Sequence, residues 1–217
     1  MTTTTLVLAA SVCGAVLGAG TRSVLVGIRR PAVPRSGCCE VATAAGLAAV
    51  AVRWSTGHVP PAWSPVPAAL TVLAVALGAT DLMQRRLPNV LTCASYPVLA
   101  TALAPWALTG RAGATVAGAL LGGIAFGGAH LVIHLVRPRS LGAGDVKLAG
   151  ALGTVLGVLG PPAVLLAAVM AAVVTLALAA GQALLGGRRW QDGVPYGPGL
   201  LIATWLLSVT PEAGLVT

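Results

Sequence analysis

Two aspartates pose the chemical question. Asp81 opens the stretch "DLMQRRLPNVLT", and Asp145 lies within "LGAGDVKLAGALG", each beside long apolar runs. The chain has only five acidic residues in 217: Glu40, Asp81, Asp145, Asp192 and Glu212. Two carboxyl groups that share one proton form a complete acid–base pair. The ionised one takes a proton from water while the protonated one donates to a carbonyl oxygen, and their repulsion separates the two ionisation steps. Such a pair can hydrolyse a peptide bond without a nucleophilic side chain.

A plainer reading stands beside this one. Asp81 precedes Arg85 by four residues and Asp145 precedes Lys147 by two, so each acid could simply anchor a helix end next to a base. Gly142 and Gly144 shift the balance. Glycine permits positive φ and close approach by another backbone. An acid held beside exposed backbone suits a site that grips an extended peptide by main-chain hydrogen bonds. Taken alone, Gly-x-Gly-Asp is a weak signal in a chain with 28 glycines.

The elements that would carry these acids are membrane helices. Hydrophobic residues make up 57% of the chain and charged residues 8%, against about 25% charged in soluble domains. A spanning helix needs about 20 apolar residues. The pattern predicts an all-α, polytopic transmembrane helical bundle of about eight spans. They fall near 6–27, 40–54, 66–83, 88–109, 113–136, 144–160, 162–185 and 197–210. The second and last are short, and a seven-span count is the alternative. Pro60, Pro61, Pro65 and Pro67 mark the connection before span three, and "GPP" at 160–162 the turn after span six. The small-residue pairs Gly14/Gly18, Gly118/Gly122 and Gly153/Gly157 read as close helix contacts. The opening "MTTTTLVLAASVCGAVLGAG" lacks a basic start, so it is expected to stay as a span rather than be removed.

The bases alternate between heavy and light connections. Arg22, Arg29, Arg30, Arg35, Arg85, Arg86, Arg137, Arg139, Lys147, Arg188 and Arg189 fall on one side, and Arg53 and Arg111 on the other. Positive connections stay in the cytoplasm, which puts the amino terminus outside. Asp81 then sits at the inner end of span three and Asp145 at the inner start of span six, at matching depth. An Asp at a helix centre costs about 2.5–3.5 kcal/mol on insertion scales, and such acids usually face a partner or a polar cavity. The scattered bases, without aromatic interleaving, do not form a nucleic-acid groove.

Other constellations are weaker. His130 and His134 share a helix face, a metal-compatible spacing, but Leu131 occupies the glutamate position of His-Glu-x-x-His and a third ligand is not evident, so packing or hydrogen bonding is expected and no metal. Ser36 and Ser140 lie in no nucleophile motif. Cys13, Cys38, Cys39 and Cys93 form no Cys-x-x-Cys pair and read as reduced. His58 and Asp192 read as solvated loop groups, and Glu40 as a helix-terminal charge. Pro88 is expected in the first turn of span four, with Asn89 and Thr92 capping or hydrogen-bonding near Asp81.

Together the two aspartate stretches resemble the motifs of the type IV prepilin peptidases. In that family the first motif runs Asp, a basic residue, a small apolar residue, Pro, Asn or Asp, and Leu-Thr, and the second is Gly-x-Gly-Asp-x-Lys. A third stretch, "GVPYGPGLLIA" at 193–203, is similar to the family's Pro-aromatic-Gly-Pro segment. The resemblance covers about 66–210. It implies a membrane aspartic endopeptidase of the bacterial inner membrane that cuts the short basic leader of a prepilin or pseudopilin on the cytoplasmic side. Carried residue by residue, Asp81 and Asp145 would be the catalytic pair. Gly142, Gly144, Lys147, Pro88, Asn89, Pro195, Gly197 and Pro198 would shape the site or bind substrate. No cofactor is implied.

Residues 1–65 match the family less well. Long members carry a cytoplasmic domain with paired Cys-x-x-Cys motifs, linked to methylation of the new amino terminus, where this chain has only "CCE". The expectation is a reduced two-span segment over 1–65, a peptidase core over 66–210 and a tail over 211–217, similar to the short peptidases of Flp/Tad-type pili. The presenilin-like proteases share Gly-x-Gly-Asp but place a Tyr where Thr80 stands. From another class, a small transporter could use two membrane carboxylates to bind protons or cations, although it would usually show repeats and midplane sites. A catalytically dead scaffold for pilus assembly is the third reading.

Overall fold

Ala, Leu, Val and Gly runs bounded by Pro and Gly fold into eight α-helices among the described residues. A computed structural model of the chain describes residues 2–28, 32–138, 141–184 and 195–211. Arg29, Arg30, Arg139, Ser140, Arg188, Arg189, Asp192 and Glu212, considered above, lie outside them. The helices are α1 (Thr3–Gly27), α2 (Cys38–Ser55), α3 (Pro65–Gln84), α4 (Asn89–Trp106), α5 (Ala112–Val136), α6 (Ala143–Leu159), α7 (Pro161–Leu184) and α8 (Gly197–Val209).

Local chemistry sets the breaks. Pro65 opens α3, and Arg85 closes it in the left-handed region at φ 52°. Pro88 stands at the N-cap of α4, one residue before the first turn where it was expected. A π-helical turn, Ala107–Arg111, joins α4 to α5, and Gly110 at φ 88° breaks the helix there. Gly160, at φ 109°, alone links α6 to α7. Only glycine adopts these positive values at little cost.

By length and apolarity, α1, α3, the stretch Asn89–Val136 and Pro161–Gly181 of α7 can each cross a bilayer. The break at Gly110 divides the 48-residue stretch Asn89–Val136 into two helices. With 13 residues, α8 is about 20 Å long, short of the roughly 30 Å hydrocarbon core.

The short connections at 85–88 and at Gly160 fold α4 back along α3 and α7 back along α6. Contacts far apart in sequence agree. At one end Trp63 Nε1 donates to the Ser208 carbonyl at 2.9 Å, and the Trp63 and Trp106 rings meet edge to face. At the other end lie Asp81, Asn89, Asp145 and Gly197. The interior between is filled by Leu70, Leu77, Leu99, Leu152, Leu156 and Leu200, all fully buried. Val12, Leu121, Ile124, Leu165, Val169 and Val173 stay exposed on the outside of the bundle, as lipid-facing positions should.

The glycine pairs serve as contacts. A Cβ added to Gly118 would come within 2.8 Å of the Gly157 carbonyl oxygen, and Gly122 meets the backbone of Gly153 and Gly157. Gly14 and Gly18 similarly press on α2. Without a hydrophobic force between helices in lipid, such backbone approach is a main source of association. Across the α1–α2 contact, Arg22 Nε pairs with Glu40 Oε1 at 2.9 Å. Glu40 is thus an interhelical clamp as well as a first-turn charge.

Candidate active site

Asp81 sits in the last turn of α3 and is 5% exposed. Its Oδ2 accepts a hydrogen bond from the Gly197 backbone N–H at 3.1 Å. That donor belongs to the first turn of α8, whose leading N–H groups have no intrahelical acceptor. Gly197 is glycine for a steric reason too, since a Cβ there would lie 2.8 Å from Asp81 Oδ2. Pro198, next in the first turn, surrenders no needed donor, and Pro195 and Pro198 are both buried.

Asp145 occupies the first turn of α6, where a carboxylate complements the positive helix end. Its Oδ2 accepts from the Gly142 N–H at 3.3 Å, closing the cap. Its Oδ1 is buried with no hydrogen-bond partner among the described residues. Asp81 and Asp145 stand at the same end of the bundle. Leu87, in the α3–α4 connection, packs against Gly144, next to Asp145, and against Gly197, the donor to Asp81. A Cβ on Gly144 would lie 2.9 Å from the Leu87 Cβ, and one on Gly197 would lie 3.4 Å from its Cδ1. Packing of α8 against both α3 and α6 completes the arrangement.

Lys147 does not pair with Asp145. Its Nζ donates to Asn89 Oδ1 at 2.9 Å, tying α6 to the start of α4. Asn89 therefore serves that link rather than Asp81, and Thr92 bonds back to its own helix at the Pro88 and Asn89 carbonyls. The Tyr96 hydroxyl donates to the Lys147 carbonyl at 2.9 Å, and its oxygen fills the space above Gly150.

The sequence did not single out Tyr196 as a site residue. It precedes Gly197, and its hydroxyl lies 3.4 Å from His130 Nε2. His130, 4% exposed, uses Nδ1 against the Phe126 carbonyl at 2.7 Å. A carbonyl only accepts, so Nδ1 carries the proton, and Nε2 is left as an acceptor for the phenol. Burial, and then the charge of Asp145, push the Tyr196 phenol above its ordinary range. His134 Nδ1 donates to the Leu141 carbonyl at 2.7 Å, holding the segment that leads to Gly142. The two histidines are thus engaged in separate hydrogen bonds. Among the described residues no group of three His, Cys, Asp or Glu is placed to hold a metal ion, and Cys13, Cys38, Cys39 and Cys93 are free thiols.

Of the residues singled out in the sequence, Asp81, Asp145, Gly142, Gly144, Pro195, Gly197 and Pro198 gather at one end of the bundle, with the Lys147–Asn89 link and Pro88 at its edge. Tyr196 was visible only as the aromatic of the third motif. Leu87 and Tyr96 carried no signal.

Comparison with known proteins gives concordant findings. A family model described as the type IV leader peptidase family matches residues 68–177. A prepilin leader peptidase/N-methyltransferase from Aeromonas hydrophila is 32% identical over 184 residues, which is 83% of this chain and 60% of the relative. The chain thus spans about 60% of the length of that curated relative. No solved structure matches the chain.

Proposed function

The chain belongs to the type IV leader peptidase family, and on that premise we propose that it is a membrane aspartic endopeptidase that removes the leader of a type IV prepilin or pseudopilin. The observation that carries the proposal is that Asp81 and Asp145 lie at one end of the bundle, linked through Leu87 and Gly197, with Asp81 Oδ2 held by the Gly197 N–H. In the mechanism, water attacks the scissile carbonyl carbon while the ionised carboxylate takes its proton. The other carboxyl gives its proton to the carbonyl oxygen. Collapse of the resulting diol breaks the C–N bond, and the amine leaves with a proton returned from the pair. Backbone donors and acceptors around Gly142 and Gly144 suit an extended leader.

The proposal includes an eight-span arrangement in the bacterial inner membrane, with the amino terminus outside and the aspartates toward the cytoplasm. It rests on the alternation of basic connections. It also includes the short form of the enzyme, without the methylation-linked domain: ten residues, 28–37, join α1 to α2. The substrate is itself an apolar helix behind a soluble leader, so its scissile bond would lie at the membrane surface where the two acids are.

Co-expression with a candidate prepilin tests the reading directly. Leader-cleaved product is expected from the wild-type chain, and none from Asp81→Asn or Asp145→Asn, with both variants retained in the membrane. Normal processing by either variant would remove that residue from the pair. Proton or cation flux without cleavage would favour the transporter reading instead. For orientation, Arg86→Cys in a background free of other cysteines should react with reagent from the cytoplasm, and His58→Cys from outside. The reverse pattern inverts the topology.

A further inference from the structure

A large cavity lies at the end of the bundle opposite the aspartates and has a different chemistry. It is about 1060 Å³ in volume, and its walls include Arg53, His58, Pro60, Pro61, Trp106 and Arg111. These come from the end of α2, the α2–α3 connection and the turn between α4 and α5, while the segment after α8 closes one side. Among the described lining residues two are arginines, one is a histidine and none is acidic.

Both arginines are held in place. Arg53 Nε donates to the Val209 carbonyl at 2.9 Å, which satisfies an end of α8 and leaves the two terminal nitrogens of the guanidinium for other acceptors. The Arg111 guanidinium lies over the Trp106 ring, 4.7 Å from its centroid, a cation–π arrangement. The side chains are therefore oriented before any ligand arrives, and little rotamer entropy remains to be lost on binding. A guanidinium matches phosphate oxygens with paired, charge-assisted hydrogen bonds. Their depth is informative. Arg53 ends α2, Arg111 precedes α5, and Trp106 is of the residue type that favours the membrane–water boundary. The anion abundant at that depth is the phosphate of a lipid headgroup.

We infer that this cavity binds a phosphate-bearing anion through Arg53 and Arg111, and that the ligand is the headgroup of an acidic phospholipid. The site does not depend on the leader-peptidase reading. Bound there, the headgroup would draw together the end of α2, the α4–α5 turn and, through Arg53, the end of α8.

The experiment uses the full chain in mild detergent, titrated with short-chain phosphatidylglycerol and read by native mass spectrometry. Arg53→Gln and Arg111→Gln should each weaken binding on the order of tenfold, as expected for one lost charged hydrogen-bonding group, and the double variant should retain almost no lipid. Arg35→Gln with Arg86→Gln, at the other end of the bundle, is the charge-matched control and should bind like the wild type. Arg111→Gln leaves the Arg53–Val209 bond intact, and circular dichroism verifies that helix content is kept. Equal binding by wild type and the double variant overturns the proposal, as does an equal loss in the control. Displacement by inorganic phosphate at matching concentration would overturn the lipid assignment and give the site to free phosphate.

Discussion

Gly197→Ala is the sharpest perturbation of the proposed pair, because it adds one methyl group and no charge. The backbone of Gly197 lies in the first turn of α8 without positive φ, so alanine can adopt it. The new Cβ would lie 2.8 Å from Asp81 Oδ2. Ordinary carbon contacts need roughly 3.5 Å, so the carboxylate must retreat by about 0.7 Å, or α8 must withdraw by as much. Either movement strains the 3.1 Å bond from the Gly197 N–H, worth about 1.5–3 kcal/mol as a hydrogen bond to a charged group. Catalytic groups work within about 0.5 Å of their productive geometry, and a misplacement of 1 Å can cost about 100-fold. The expected loss is roughly tenfold to 100-fold in kcat on these scales, with KM for the prepilin little changed. The assay is single-turnover leader cleavage in membranes, run beside Gly128→Ala, where an added Cβ meets nothing within 4 Å. Gly128→Ala should cut normally. Wild-type kcat in Gly197→Ala would refute the claim that this peptide group positions Asp81.

Three further outcomes are expected. Lys147→Met and Asn89→Leu, combined in a double-mutant cycle on thermal unfolding, should show a coupling of about 1 kcal/mol or less, since the 2.9 Å bond between them is at an exposed site; a coupling near zero would mean that the link contributes nothing to stability. Gly122→Val should destabilise the bundle by at least about 1–3 kcal/mol, because its Cβ would run into the backbone of Gly153 and Gly157, and a melting temperature equal to wild type would contradict the close α5–α6 contact. Tyr196→Phe should slow cleavage by a factor that stays constant from about pH 7 to 9, for a phenol pushed above its ordinary value near 10 remains protonated throughout that range; a ratio that drifts with pH would show that the phenol ionises within it.

The sequence was most informative about where helices begin and end. Pro65, Gly110, Gly160 and Pro198 mark boundaries because φ restriction and missing donors act locally. The alternation of basic connections predicts an up-and-down order, and the Trp63–Ser208 and Gly197–Asp81 contacts, at opposite ends, show α3 and α8 running antiparallel. Partners across helices were not legible. Arg22 and Glu40 are 18 residues apart, and Lys147 reaches Asn89 over 58; such pairings depend on helix rotation, which near-uniform Ala, Leu and Val faces do not encode. The donor to Asp81 was hidden for another reason. It is a backbone N–H, which every residue except proline possesses, and only the steric demand for glycine at 197 could have pointed to it. Pro88 fell one position outside the expected turn, within the usual uncertainty of helix ends.

The glycine contact between α5 and α6 divides the labour between the two acids. Asp145 rides on a helix locked to its neighbour by backbone touching backbone at Gly118, Gly122, Gly153 and Gly157. Asp81 rides on α3, which meets that locked pair chiefly through α8 and α4. The spacing of the two acids is thus set by how α8 and α4 fit between their helices.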